Sequence, residues 1–279
     1  MATTEISLDI TKKQMEAAVP ASREPKSIIF DKLKPRFLET IRDIAEDKLG
    51  DVAIAVVNAE PEGVLANLVR NLAVQDVFLR ELHGLDLVLT ATGFGVVSTN
   101  DTAPASKIRV DAFDGELRVK WLMTHDSLLE ALFRIPGWYE QNLLQLDTLF
   151  YRFAFLKRFA GFQAPLAKDW ESAQPLIMEA DRYLRDRISD EFMDELILQT
   201  ATAGVTEDNA GVIYQIRRYI GVWVQGNHAV AIEYYRRLMN TLEREIGKYP
   251  TYASSDAYTR NHMEPYENTA DKGAFHFVG

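Results

Sequence analysis

Acidic side chains that could bind a metal ion or transfer protons are concentrated in one segment of this sequence. They are Asp181, Asp186, Asp190, Glu191, Asp194 and Glu195. Paired carboxylates can bind Mg²⁺ or act as general acid and general base. Arg182, Arg185 and Arg187 lie among them, however, and opposite charges at helical spacing are typical of a solvated, ion-paired face. We therefore interpret this segment as structural.

The other residues of catalytic type form no recognisable motif. The histidines make no H-x-x-x-H pair and no H-E-x-x-H motif, and they are His83, His125, His228, His262 and His276. Gly93-Phe94-Gly95 lacks the third glycine of a dinucleotide loop, and there is no G-K-[ST] phosphate loop. Ser98 has no adjacent base in the sequence, which leaves open a triad assembled in space. The sequence predicts a protein that is not an enzyme and that uses no metal or cofactor.

The composition narrows the class of protein further. The 279 residues carry a net charge of −10, and 47% of them are apolar, enough for one large core or two smaller ones. The negative charge argues against a protein that grips nucleic acid, although it does not exclude contact with DNA. There is no cysteine, and hence no disulfide and no thiolate metal site. No apolar run has the length of a signal-peptide core or a membrane span, so we expect assembly in the cytoplasm without a membrane partner.

A small β-hairpin is predicted at about residues 85–99. Leu85, Leu87 and Leu89 alternate with other residues, which is the period of a half-buried strand. Gly93 and Gly95 allow a tight turn before a β-branched run. A turn cluster and Pro104 then lead to Ser106, which is suited to cap a following helix.

Four motifs in the first half resemble those of a family of structural proteins from tailed phages and prophages of Bacteroidetes, the crAss-like phages among them. The motifs are E-T-I-R-D-I-A-E at 39–46, L-V-R-N-L-A at 68–73, G-V-V-S-T at 95–99 and P-A-S at 104–106. The resemblance covers roughly residues 32–225. One departure is the Gly50-Asp51 junction, where the family pattern has a longer glycine-aromatic turn.

The resemblance implies a virion protein of the neck, a head-tail connector next to the portal, that forms a ring of several copies. The implied partners are other copies of the chain, the portal protein and adjacent neck or tail proteins, with DNA passing through the channel without sequence-specific binding. A tail terminator or tail-tube-proximal ring is an alternative within the same class. A soluble adaptor protein outside the virion is an alternative from a different class.

The predicted fold is mainly α, a helical bundle with the small hairpin added. The predicted parts are an extended N-terminal arm (1–30), a first helical lobe (31–135), a second helical lobe (136–249) and a C-terminal arm (250–279). Pro20 and Pro25 are read as breaking any helix in the N-terminal arm, and Pro35 as opening the first helix of the first lobe. A second helix is predicted over Val64–Leu82.

The two lobes resemble each other in sequence. Aligning Pro35 with Pro175 pairs two acidic residues and two arginines of the following turns, and a longer second connection then pairs Arg70 with Arg217. Duplication of a helical unit explains this, and chance similarity between two amphipathic helices is the alternative.

Two further segments have alternative interpretations. Residues 107–122 fit either a hairpin around Asp114-Gly115 or a helix, and we favour the helix because one apolar face continues past the turn: Ile108, Ala112, Gly115, Val119, Leu122, Leu129 and Phe133. The aromatic segment 138–162 fits a helix in the core, a helix at a subunit interface, or a surface that stacks on nucleic-acid bases.

Residues that could hold a neighbouring subunit are apolar and lie in the hairpin and the C-terminal arm. A disordered tail has few aromatic residues, so those beyond Pro250 are interpreted as docking anchors. The candidate interface residues are Phe94, Val96, Val97, Tyr252, Tyr258, Tyr266, Phe275 and Phe277.

Overall fold

The computed structural model describes residues 5–22, 28–82, 87–90, 93–96, 107–141, 146–202 and 204–262, and most of these are helical. The helices of the first half are α1 (Lys12–Ala18), α2 (Ile28–Ile44), α3 (Gly50–Ala59), α4 (Val64–Glu81), α5 (Lys107–Leu132) and α6 (Trp138–Gln141). Those of the second half are α7 (Ala154–Arg158), α8 (Ala167–Arg185), α9 (Asp190–Ala201), α10 (Glu207–Val224), α11 (His228–Arg244), α12 (Pro250–Ala253) and α13 (Asp256–Asn261). The predicted mainly α fold is confirmed.

Two short strands lie between α4 and α5. They are β1 (Leu87–Thr90) and β2 (Gly93–Val96), and they pair antiparallel with Leu87 opposite Val96 and Thr90 opposite Gly93. This pair is a small addition to a fold whose packing is between helices, chiefly α2 on α4, α4 on α5, α8 on α10 and α10 on α11.

The interpretation of the N-terminus as an extended arm is wrong for residues 5–22. The Gln14 backbone N–H donates to the Thr11 hydroxyl at 3.3 Å, and the Thr11 N–H donates to the Gln14 side chain at 2.9 Å, so a capping box starts α1. Ile10 and Met15 are fully buried. Pro20 follows the helix and does not interrupt it, because α1 ends at Ala18.

The prediction that Pro35 lies in the first turn of its helix is also wrong, because α2 begins at Ile28. Pro35 lies inside α2 on the exposed face, and Pro175 lies inside α8 in the same way. A proline removes one helical hydrogen bond, and on an exposed face water can bind the carbonyl that this leaves without a partner. Gly50 has a φ of 65°, a conformation that favours glycine, and α3 starts there directly after a π-helical turn at Ala45–Leu49.

Of the two segments with alternative interpretations, residues 107–122 are helical as favoured, within α5, and Asp114-Gly115 makes no turn. The aromatic segment is not one helix, since α6 ends at Gln141 and α7 starts only at Ala154. Its interpretation as core is confirmed by Trp138, Phe150 and Phe155, which are all at most 3% exposed. The Trp138 indole N–H donates to the Leu49 carbonyl at 2.7 Å.

Buried positions of the first half recur in the second half at an offset of 140 residues. The pairs are Ile10 with Phe150, Met15 with Phe155, Val19 with Phe159, Leu33 with Ala173, Phe37 with Ile177, Ile44 with Leu184, Ala53 with Met193 and Val57 with Ile197. From α4 to α10 the offset becomes 147, and the buried pairs are Leu65 with Val212, Ala66 with Ile213, Val69 with Ile216, Leu72 with Tyr219, Ala73 with Ile220, Val74 with Gly221 and Val77 with Val224. The two halves therefore share one order of buried positions.

A pair of arginines follows the same register. The Arg70 Nε atom donates to the Asp9 carbonyl at 2.8 Å, and the Arg217 Nε atom donates to the Leu149 carbonyl at 3.0 Å. Asp9 and Leu149 are 140 residues apart, whereas Arg70 and Arg217 are 147 apart. In each half, then, an arginine of the central helix holds the segment that precedes the short first helix.

Candidate subunit interface

The candidate interface residues do not come together in one site. Phe94 and Val96 lie on β2, where they pair with Leu89 and Leu87 of β1. The other hairpin residue and the last three aromatic residues fall outside the described part of the chain, and they are Val97, Tyr266, Phe275 and Phe277.

Tyr252 is not available to a neighbouring subunit, so its assignment to the interface is wrong. It is 0% exposed, and its ring centroid lies 6.1 Å from that of Phe192 on α9 and 5.4 Å from that of Tyr258. Burial raises the pKa of Tyr252 to about 12. The chain after Pro250 forms α12 and α13, with Ser255 capping α13, and it packs on its own core as far as Tyr258. Tyr258 is half-buried and stacks on the His262 ring.

The acidic segment is ion-paired around one guanidinium. Arg185 lies 2.8 Å from a carboxylate oxygen of Asp181, 2.8 Å from one of Asp194 and 3.3 Å from one of Asp190. Burial acts to lower the pKa of Arg185, but the hydrogen bonds that Arg185 donates to Asp194 and Asp181 outweigh it and raise that pKa overall. Within the described residues, no group of three or more His, Asp and Glu side chains could hold a metal ion. The interpretation of this segment as structural agrees with these contacts.

Asp126 joins α5 to the second half of the chain. Its buried carboxylate accepts hydrogen bonds from the backbone N–H groups of Phe153 at 3.0 Å and Ala154 at 2.9 Å, where α7 begins. Burial raises the pKa of Asp126, against the effect of these hydrogen bonds and of Arg152. The contact fixes the start of α7 beside the C-terminal part of α5.

An open apolar groove lies next to this contact, between α5, α7 and the loop before α8. We call it the α5–α7 groove, and its apolar lining comprises Ala112, Gly115, Val119, Met123, Phe153, Ala154, Pro165 and Leu166. Its volume is about 780 Å³. Met123 is 57% exposed and Leu166 46%, which is unusual for such large apolar side chains.

Sequence reasoning missed this groove although it found the residues. On the predicted apolar face of α5, Ile108 is 81% exposed, and Ala112, Gly115 and Val119 line the open groove. Val119 is partly buried against the core, and Leu122, Leu129 and Phe133 farther along that face are buried. The small residues Ala112 and Gly115 on this otherwise apolar face are the signal that could have indicated an open surface.

A histidine near the groove provides a test of the packing of α5. His125 stacks on Trp121 at 5.7 Å between ring centroids. Burial, and then the charge of Lys48, lowers the pKa of His125 to about 4, from an ordinary value of 6.5. The unfolded chain therefore takes up this proton at a higher pH than the folded chain, so stability falls as the pH drops from 6.5 toward 4.

We expect the wild-type chain to lose about 2 kcal/mol more of its unfolding free energy than a His125→Gln variant between pH 7 and pH 4.5. Urea denaturation at both pH values measures the two losses. The other titrating groups are common to both chains, so they cancel in the difference. Equal losses would mean that His125 is accessible to protons in the fold.

The comparisons with known proteins concern the first half of the chain. Residues 31–142, less than half of the sequence, match the model of a family of unknown function, DUF6712. This segment takes in α2 to α6 and both strands. No curated protein and no solved structure matches the chain. Within the described residues no single helix is long and apolar enough to cross a membrane. Ile29–Ala59 and Val64–Glu81 reach that length and composition only when taken together, and they are bent by 112° relative to each other.

Proposed function

We propose that this chain is a structural virion protein of a tailed phage, a multi-copy ring subunit at the head-tail junction. The observation that carries the proposal is a repeated helical framework with an open apolar groove on its surface. A surface of this kind costs solubility unless another protein covers it. The arginine-paired acidic segment gives no support to a catalytic role. The phage-like motifs at 39–46, 68–73, 95–99 and 104–106 supply the virion class, and all of them lie within the segment similar to DUF6712.

We infer that the chain contains an internal duplication. Two independent features support it: the recurrence of buried positions, and the paired contacts of Arg70 and Arg217 with backbone carbonyls. Chance similarity of amphipathic helices explains periodic burial, but it does not explain why both arginines bind the same kind of carbonyl in the same register. In a closed ring each copy meets its neighbours through unlike faces, so the two similar lobes would contact the layers above and below the ring.

In this proposal the subunit lies in the neck region of the virion, is assembled in the host cytoplasm, and meets the portal protein and adjacent neck or tail proteins. DNA passes through the ring, and the net charge of −10 limits its binding to the wall. The hairpin, with Phe94, Val96 and Val97, meets a neighbouring copy or the next ring. A tail terminator or tail-tube-proximal ring would be built from the same framework.

We expect the purified chain to form closed rings as its concentration rises. Sedimentation velocity measures the association, and negative-stain electron microscopy shows the shape of the product. Gold-labelled antibody on purified particles then reports the location, with gold at the junction of head and tail as the expected result. Gold along the tail would favour the terminator or tube-proximal ring. A chain that stays monomeric and is missing from particles would overturn the proposal and favour a soluble adaptor.

A further inference from the structure

We propose that the α5–α7 groove binds the C-terminal segment of an adjacent copy of this chain, with Phe275 and Phe277 as its anchors. The inference rests on the proposed ring, and it deepens that proposal by naming the two surfaces that meet. The anchors are carried by residues 274–278, A-F-H-F-V, near the end of the sequence.

The groove has the character of a peptide-binding surface. Its floor at Gly115 has no side chain, and a Cβ atom built there would meet nothing within 4 Å. Its walls are apolar and include Val119, Met123 and the ring of Phe153. Its volume of about 780 Å³ lies within the range of about 300–1,000 Å³ that is typical of binding pockets. Aromatic anchors that fill such pockets contribute most of the affinity of many interfaces.

Gly115 is an unusual residue at its position in α5. Gly115 lies near the middle of α5, a helix of 26 residues, where glycine is less favourable than alanine. Nothing within the described residues occupies the space beside it. A helix that keeps a glycine at an open position allows another chain to approach its backbone closely.

The C-terminal segment matches this groove in the pattern of its apolar residues and in its length. In an extended chain alternate side chains point to the same side, so Phe275 and Phe277 can enter together while His276 points away. Residues 263–279 carry Glu264, Glu267, Asp271 and Lys272, a net charge of −2 with His276 neutral. The groove is lined by Lys157 but also by Asp111 and Glu116, so charge gives no net attraction and the apolar side chains must supply the affinity. An extended segment of this length reaches up to roughly 55 Å, enough to cross to a neighbouring subunit.

The test uses four full-length chains: wild type, Phe275→Ser/Phe277→Ser, Gly115→Phe and Gly211→Phe. Gly115→Phe fills the groove from its floor. Gly211→Phe is the matched control, because Gly211 also lies in a helix with nothing within 4 Å of an added Cβ, but on α10. Sedimentation velocity measures self-association, and circular dichroism verifies that each chain is folded.

We expect Phe275→Ser/Phe277→Ser and Gly115→Phe each to weaken self-association at least tenfold. Gly211→Phe should leave it unchanged. A fluorescent peptide of residues 263–279 should bind the Phe275→Ser/Phe277→Ser chain, and adding Gly115→Phe to that chain should abolish the binding. The double serine variant keeps the groove intact, so the inference can be tested even if Gly115→Phe does not fold.

The outcomes separate the inference from the ring proposal. Rings that form equally well in all four chains would overturn the inference and leave the proposed function standing. The peptide could bind although the full-length chain stays monomeric at every concentration. The segment would then occupy the groove of its own chain, which would overturn the contact between copies. If the peptide does not bind and the chain does not self-associate, both the inference and the ring proposal are overturned.

Discussion

Replacing Arg70 by methionine is expected to lower the free energy of unfolding by about 3 kcal/mol. Arg70 is only 5% exposed. It donates to the Asp9 carbonyl at 2.8 Å, to the Pro61 carbonyl at 2.6 Å and to the Asn67 side chain at 3.1 Å. Methionine keeps most of the apolar stem but leaves these acceptors without their donor, and each unpaired buried acceptor costs about 1–3 kcal/mol. Residues 5–22 lose their main polar link to α4.

Arg217→Met is the matched variant in the second half, and we expect it to cost less, about 1–2 kcal/mol. Its Nε atom donates to the Leu149 carbonyl at 3.0 Å, and its guanidinium lies 4.6 Å from the centroid of the Phe155 ring. Arg244→Met, at an exposed position on α11, is the surface control and should change stability little.

Urea denaturation of the three variants gives the unfolding free energies, and limited proteolysis reports whether residues 5–22 are released in Arg70→Met. If that variant were no less stable than Arg244→Met, the N-terminal segment would not be an integral part of the fold. A large loss in Arg70→Met with no loss in Arg217→Met would weigh against equivalent roles in the two halves.

Periodicity predicted the elements that are long and have one buried face. The α4 helix was predicted over Val64–Leu82 and spans Val64–Glu81. The choice of helix over hairpin at 107–122 depended on an apolar face that continued past Gly115, and this was the right criterion because a helix needs a sustained stripe whereas a hairpin needs only local alternation. The pairing of Pro35 with Pro175 came from the same kind of pattern. In the structure both prolines lie on exposed helical faces.

Short elements fixed by tertiary contacts could not be predicted in this way. The α1 helix has only seven residues, too few to be stable alone, and it is held by burial of Met15 and by long-range donors such as Arg70 and Lys120. Tyr252 was assigned to an interface because aromatic residues are unusual in a disordered tail, but two short helices are enough to bring its ring against Phe192.

The sequence predicted the apolar face of α5 but not the groove that this face lines. Sequence reasoning placed Gly115 and Val119 on one apolar face of α5, yet the groove also requires Phe153 and Leu166 from segments that are remote in the chain. Whether a given apolar face is covered depends on which other elements reach it. That is a property of packing, and periodicity carries no information on it.

α10 comes close to the backbone at the end of α7, and the contact is made at Gly221. Gly221→Ala is therefore expected to lower the free energy of unfolding by about 2–3 kcal/mol. A Cβ atom on Gly221 would lie 2.5 Å from both the carbonyl carbon and the carbonyl oxygen of Phe159. These are backbone atoms, so no side-chain rotation relieves the overlap, and α10 must move away. In the first half the equivalent positions are Val74 and Val19, which are both buried. The large Phe159 ring and the missing Gly221 side chain thus replace a pair of valines.

Gly211→Ala on the same helix is the control that isolates the contact. Nothing lies within 4 Å of an added Cβ at Gly211, so alanine there should stabilise the chain by about 0.5–1 kcal/mol through helix propensity alone. Both substitutions replace a glycine inside α10 by alanine, and they differ only in what the new methyl group meets. Urea denaturation should therefore give shifts of opposite sign. Two shifts of the same stabilising sign would mean that the backbones of α10 and Phe159 are farther apart than this close packing requires.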